Sequence, residues 1–343
     1  MQFLILFNNK GGVGKTTLVY HLAWMFSLRG YTVLTADIDP QCNLTSAFLH
    51  EDVIENNKYT LYTAISPIIE GTGDIEVLPP LQIDNHLALI PGDLRLSLVE
   101  DDFSLCWPRA GDGDERSFRV LSSLYRVLLN SAQSIDADII FIDVGPNLGA
   151  LNRTALIASD YVITPLAPDM YSLQGLDNLG PQLYKWRSGW ENRLHICRLK
   201  DVPLPSGKMS PLGYLVMQHS ERAGRSTKSY RKWIDRIPAV FHQAVLRDEE
   251  PLKDSEHDPF CLARLKHYRS LMPMAMEVRK PVFSLMPADG AFGSHAEAVR
   301  NCKKDFERLV DLIADKINLR EEQHPDYSGS MPLPEPGLEL EGR

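Results

Sequence analysis

The chain has 343 residues, 44% hydrophobic and 24% charged, a globular composition sufficient for one substantial domain. No run approaches eighteen apolar residues, so no membrane-spanning helix is expected, and five scattered cysteines without a C-x-x-C pair argue against a disulfide framework or zinc site and for a reducing cytosol. The net charge of −9 speaks against nucleic acid at first sight, but residues 321–343 alone hold six acids, one arginine and several prolines; this stretch is expected to be a disordered tail, and the body is nearer neutral.

Residues 3–7, F-L-I-L-F, form a short continuous apolar run of the kind buried parallel strands show. There is no basic n-region or cleavage site around it, so it does not read as a signal peptide. A glycine-rich turn follows, N-N-K-G-G-V-G-K-T-T at 8–17. Leu18, Val19, Leu22, Ala23 and Phe26 then recur at helical spacing, with Gly30 as a C-terminal stop. T-V-L-T-A-D, H-L-A-L-I-P-G (86–92), A-D-I-I-F-I-D (137–143), Y-V-I-T-P (161–165) and L-G-Y-L-V-M (212–217) read as further strands. S-F-R-V-L-S-S-L-Y-R-V-L-L has a helical pattern. Strand and helix in alternation predict an α/β fold with a mostly parallel sheet flanked by helices.

Three stretches break the rhythm: 104–116 is polar and turn-rich, 198–211 is rich in proline, and 246–262 is charged and irregular. They are expected to be insertions on one sheet, so that residues 1–320 form a single domain with an insertion at about 180–275. Val299, Cys302, Phe306, Leu309, Val310, Ile313 and Ile317 mark one apolar face of a last helix over 294–319.

A strand, a glycine turn ending in G-K-T, and a helix make a phosphate loop. Glycines let backbone N–H groups converge on phosphates, and the helix N-terminus adds positive potential. In this reading Gly11, Gly12, Val13 and Gly14 supply the cradle, Lys15 reaches the β- and γ-phosphates, Thr16 ligates Mg²⁺ and Thr17 adds a hydroxyl near the α-phosphate. The strict pattern G-x-x-x-x-G-K-[ST] fails at its first position, Asn9, and a second lysine, Lys10, opens the loop instead.

The chain resembles the ParA/MinD family of deviant Walker A P-loop ATPases, on the side of its ParA-type partition members. Beyond the loop, D-I-D-P-Q-C-N-L-T at 37–45, N-H-L-A-L-I-P-G-D-L at 85–94, A-D-I-I-F-I-D-V-G-P-N-L-G at 137–149, T-P-L-A-P-D-M-Y-S-L-Q-G-L at 164–176 and R-K-P-V-F-S-L-M-P-A-D-G-A at 279–291 fit its segments. The likeness covers most of residues 1–180 and 279–317. Gly145 stands where the family has the first proline of D-x-P-P, which puts the local loop shape in question. The resemblance implies that Lys10 crosses a dimer interface to the partner's nucleotide. There it would offset charge concentrated between two ATP molecules in a low-dielectric interface. It implies that Asp39 orients the attacking water, that Asp37 and Asp143 hold Mg²⁺ through its waters, and that Met217, Pro287 and Asp289 line the adenine.

The same resemblance implies slow hydrolysis of ATP, an activating protein partner, a cytoplasmic and nucleoid-associated location, and an ATP dimer that binds DNA without sequence preference. Two basic clusters could serve DNA: Arg222, Arg225, Lys228, Arg231 and Lys232, or Arg264, Lys266 and Arg269 with Arg279 and Lys280. A membrane-positioning relative would need a basic amphipathic C-terminal helix, and this chain ends acidic and proline-rich. An iron–sulfur carrier would need cysteines near the dimer interface or a C-x-x-C pair, and none stands beside Asp143. An ATP-dependent switch that recruits a protein and has no DNA affinity stays open.

Overall fold

A computed structural model describes residues 1–319 except 219, 220, 223, 224, 227, 250–256, 267 and 269. The expected tail at 321–343 and Arg269 of the second basic cluster lie outside the described residues. In chain order the main elements are β1 (Gln2–Leu6), α1 (Lys15–Leu28), β2 (Val33–Asp37), α2 (Asn43–Phe48), α3 (Glu51–Asn56), α4 (Leu61–Glu70), β3 (Leu81–Asp84) and β4 (Leu87–Ile90). There follow α5 (Glu100–Gly111), α6 (Glu115–Leu121), α7 (Ser123–Ser134), β5 (Ile139–Asp143), α8 (Ala150–Ala158), β6 (Tyr161–Leu166), α9 (Met170–Ile196) and β7 (Ser210–Gln218). A two-residue hairpin, β8 (Glu221–Arg222) and β9 (Arg225–Ser226), leads to α10 (Lys228–Ile234), α11 (Ile237–Phe241), β10 (Cys261–Lys266), α12 (Leu271–Glu277) and α13 (Ser294–Lys316).

Eight strands make one sheet in the order β10-β7-β6-β1-β5-β2-β4-β3. Every neighbour pair is parallel except β3 with β4 at the edge. Because successive strand side chains alternate, β1 splits its residues between two cores. Phe3 and Ile5, with Ile140 and Ile142 of β5, join the layer of α4–α9. Leu4 and Leu6, with Ile139 and Phe141, join the layer of α1, α12 and α13. These strands are buried on both faces, which is why they read as unbroken apolar runs.

The stretch 180–275 adds β7 and β10 to the main sheet, and α11 packs against α9 there. A third apolar cluster, with Leu173, Tyr214, Ile237 and Phe241, fills this end. The stretch 104–116, polar and turn-rich in sequence, is mostly helical. Residues up to Gly111 continue α5, and α6 begins at Glu115. Phe103, Cys106 and Ala110 lie at i, i+3 and i+7 and are buried, so the polar residues form the outer face of a helix rather than a loop. The expected helix over 117–129 is two, divided at Ser122.

Candidate functional site

The phosphate loop runs between β1 and α1, at the strands' C-terminal ends, where an open parallel sheet leaves room for a ligand. Gly12 and Gly14 have φ of 73° and 86°, a left-handed backbone that side chains disfavour, and Gly14 is the N-cap of α1. The loop is tied at its base by Asn8, which is buried. Its side chain donates to the Pro165 carbonyl (2.7 Å) and accepts from the Lys10 amide (2.9 Å). Lys15 Nζ donates to the Asn8 carbonyl (3.1 Å), so the ammonium is folded over the loop's own backbone. Burial pushes the Lys15 pKa below the usual lysine value, against the opposing pull of Asp143 and Asp39.

Facing this loop, β2 and β5 run in register so that Asp37 and Asp143 are direct partners, both fully buried. Asp37 Oδ2 accepts from the Thr45 amide and hydroxyl (2.8 Å each), and Thr45 Oγ1 in turn accepts from the Gly92 amide (2.9 Å). Asp37 Oδ1 and both oxygens of Asp143 have no hydrogen-bond partner among the described residues. The Thr16 side chain stands beside Asp143. Burial raises both carboxyls above the usual carboxylate range; Thr45 pulls Asp37 back while Asp39 adds to its rise, and for Asp143 the charge of Asp37 adds to burial while Thr16 pulls it back.

Buried carboxylate oxygens without donors are costly unless something else satisfies them. Two such acids and a threonine hydroxyl fit a hard, water-rich cation. Mg²⁺ is held by one or two carboxylates and substrate phosphates, not by an all-protein cage. Consistently, no group of three or more His, Cys, Asp or Glu among the described residues could hold a metal alone. All five cysteines are free.

Asp39 is buried, and its Oδ1 accepts from the Gln41 amide (3.0 Å). The loop after β5 closes over it: a Cβ built at Gly145 would stand 3.3 Å from Asp39 Oδ1. A side chain there would require Asp39 to give by a few tenths of an ångström. The loop is held by Asn152 of α8, 1% exposed, whose amide donates to the carbonyls of Gly145 (2.8 Å) and Asn147 (2.9 Å). Pro146 leans over Gly11.

Lys10 is partly exposed and paired with Asp169 of its own chain, the N-cap residue of α9. Met217 reaches Gly14 with its terminal methyl. Pro287 and Asp289 form one short 3₁₀ turn, with Asp289 bound to Lys280 Nζ (2.9 Å) and the Met286 amide (2.9 Å). Of the first basic cluster, Arg231 and Lys232 are exposed, with Lys232 over the Trp233 ring. The side chains of Arg222, Arg225 and Lys228 lie outside the described ones. In the second, Arg264 and Lys266 are exposed, Arg279 donates to the Leu49 carbonyl (3.1 Å) and Lys280 is taken by Asp289. Among the described residues no helix is long and apolar enough to cross a membrane.

Sequence reading missed Thr45, Asn8, Asn152 and Asp169. The signal for Thr45 lay within the quoted 37–45 segment, eight residues past Asp37. Asn8 and Asp169 also stand in quoted segments, at 8–17 and 164–176, but their partners Pro165 and Lys10 lie across the fold; Asn152 follows the 137–149 segment by three residues and bonds back to it.

An AAA-domain family model matches residues 1–196. The chromosome partitioning protein ParA of Caulobacter vibrioides is 29% identical over 197 residues, 57% of this chain and 67% of that one. The chain spans 42–62% of the length of other relatives it matches at 30–32% identity. Among solved structures, DIP2308 from Corynebacterium diphtheriae has a TM-score of 0.67 at 24% identity, covering 92% of this chain and 98% of that one. An ATP complex of a Cyanothece McdA variant has a TM-score of 0.64 at 16% identity, covering 94% and 98%. Both likenesses show the fold. The glycine loop with its opening lysine, the registered aspartates and the family match converge: this chain belongs to the ParA/MinD family of deviant Walker A P-loop ATPases.

Proposed function

We propose that this chain is a partition-type ATPase of the cytoplasm that closes into a homodimer around two ATP molecules, binds DNA without sequence preference, and hydrolyses ATP slowly under a protein partner's control. The observation that carries the reading is a set of three carboxylate oxygens on Asp37 and Asp143 that find no partner among the described residues. They stand at adjacent strand ends beside a loop whose lysine bonds to backbone. That arrangement is built for a phosphate and a divalent cation. A partition relative and a fold neighbour whose own complex holds ATP support it.

In this reading the amides of residues 11–17 and Lys15 bind the triphosphate, and Lys15 leaves the Asn8 carbonyl to do so. Thr16, Asp37 and Asp143 would hold Mg²⁺. When bound, the ion neutralises charge on the phosphate oxygens. Asp39, held by the Gln41 amide under Gly145, orients the attacking water. Lys10 exchanges Asp169 for the nucleotide of a second copy, so that dimerisation depends on ATP. Met217, Pro287 and Asp289 are the proposed adenine contacts. Arg222, Arg225, Lys228, Arg231 and Lys232 are the proposed DNA contacts, presented once the dimer forms.

The test is ATP turnover and DNA binding by the full chain with Mg²⁺ and ATP, ADP or a nonhydrolysable analogue over a salt series. Binding in the ATP state that falls steeply as salt rises supports the reading. Turnover with no salt-sensitive DNA binding in any state replaces it with a protein-recruiting switch.

A further inference from the structure

The loop from Gly145 to Gly149 covers Asp39 at one end and runs into α8 at the other. A helix start leaves amides without acceptors, usually met by a capping side chain of the helix itself. The N-cap of α8 is Gly149, which has no side chain to offer. The acceptor comes from fifty residues earlier. Both carboxylate oxygens of Glu100, the first residue of α5, are engaged, Oε1 by the Ala150 amide and Oε2 by the Leu151 amide at 2.9 Å. A Cβ built at Gly149 would fall 2.5 Å from Glu100 Oε1, so the backbone and the carboxylate approach as closely as glycine allows.

Glu100 is itself firmly placed. Phe103, Cys106 and Ala110 bury the inner face of α5. Further along the same pair of helices, Arg153 of α8 donates to the Phe103 carbonyl (3.1 Å) and stacks on the Trp107 ring (4.3 Å). Towards the N-terminus, the chain leads back through a 3₁₀ turn, Leu94–Val99, to Gly92, whose amide binds Thr45 and through it Asp37. The carboxylate thus joins the wall that holds Asp37 to the wall that covers Asp39.

Resting on the ATPase reading above, we infer that Glu100 is a positioning residue for hydrolysis: by capping α8 from α5 it fixes the Gly145–Gly149 loop over Asp39, without touching nucleotide. Its loss frees two charge-assisted acceptors' worth of restraint on α8, and the loop then samples positions in which the water-orienting carboxylate is no longer covered. Misplacement of this kind affects turnover more than binding.

The experiment is steady-state ATP hydrolysis with Mg²⁺ by the full chain, comparing wild type, Glu100→Ala and Glu100→Gln, together with nucleotide-binding stoichiometry and amide exchange. In Glu100→Ala, kcat is expected to fall on the order of tenfold with KM within about twofold and stoichiometry unchanged. Glu100→Gln keeps one acceptor oxygen and should recover part of the loss. Exchange at Ala150 and Leu151 should quicken while Ala155 and Leu156, in the same helix, stay protected. A kcat equal to wild type in Glu100→Ala overturns the inference. So does a loss matched by a fall in stoichiometry, which marks a folding role. Wild-type protein without any turnover removes the ATPase reading, and this inference with it.

Discussion

Replacing Thr45 by valine removes one oxygen from a buried chain of hydrogen bonds while keeping the side chain's shape. In the wild type the Gly92 amide donates to Thr45 Oγ1 (2.9 Å), and that hydroxyl donates to Asp37 Oδ2 (2.8 Å). The substitution deletes a bond to a carboxyl, about 1.5–3 kcal/mol, and leaves a buried amide without an acceptor, about 1–3 kcal/mol. The added methyl returns about 0.8 kcal/mol at most. The expected net loss is about 3 kcal/mol, some two powers of ten in the ratio of folded to unfolded protein. Thr45→Ser keeps the hydroxyl and serves as the control. Urea unfolding reads the difference as a lower midpoint at unchanged slope. Asp37 also loses a donor that pulls its pKa down, so Mg²⁺ affinity should weaken in the valine variant and not in the serine one. Equal midpoints for valine and serine would refute the reasoning, because the hydroxyl would then bind nothing of consequence.

Lys15→Ala should lower ATP affinity by about ten- to a hundredfold, measured with a fluorescent nucleotide, because a charge-assisted contact to phosphate is lost; normal affinity would remove Lys15 from the site. Asp39→Ala should bind ATP and dimerise without turning it over, and hydrolysis at the wild-type rate would take Asp39 out of the chemistry. His21 gives a pH prediction. It is buried, with Nδ1 against the Thr17 carbonyl (2.7 Å) and Nε2 accepting from the Val282 amide (3.1 Å), so it is held neutral, and burial pushes its pKa down to about 4. Below about pH 6.5 the unfolded state binds the extra proton first. Stability therefore falls as pH drops from about 6.5 towards 4, by about 3 kcal/mol at the lower limit. His21→Gln should flatten that part of the unfolding profile, and an unchanged acid slope would contradict the assignment.

The central strands were legible because burial on both faces leaves nothing polar in them: F-L-I-L in β1 and I-I-F-I in β5 carry their position in composition alone. Edge strands did not announce themselves. L-Q-I-D in β3 and C-L-A-R-L-K in β10 alternate with polar residues because one side meets solvent or thin cover. α5 was hidden by its outer face, since serine, proline and arginine at 104–109 outweigh in composition the three buried residues that define its spacing. In the site, the residues that would touch phosphate or metal lie in short linear motifs, fixed by the strand–turn–helix geometry around them. Some of those that hold them share these motifs, as Thr45, Asn8 and Asp169 do, but which partner each one takes is set elsewhere in the fold. Glu100 meets α8 from fifty residues away and Asp169 meets Lys10 from 159, contacts that exist only once the sheet order is set.

Sedimentation velocity of the full chain with Mg²⁺ and a nonhydrolysable ATP analogue, wild type beside Lys10→Ala, tests the nucleotide-bridged dimer most directly. The wild type is expected at twice the monomer mass only with the analogue present, and Lys10→Ala is expected to bind the analogue and stay monomeric. A wild-type monomer at saturating nucleotide, or a Lys10→Ala dimer as tight as the wild type, would contradict the account.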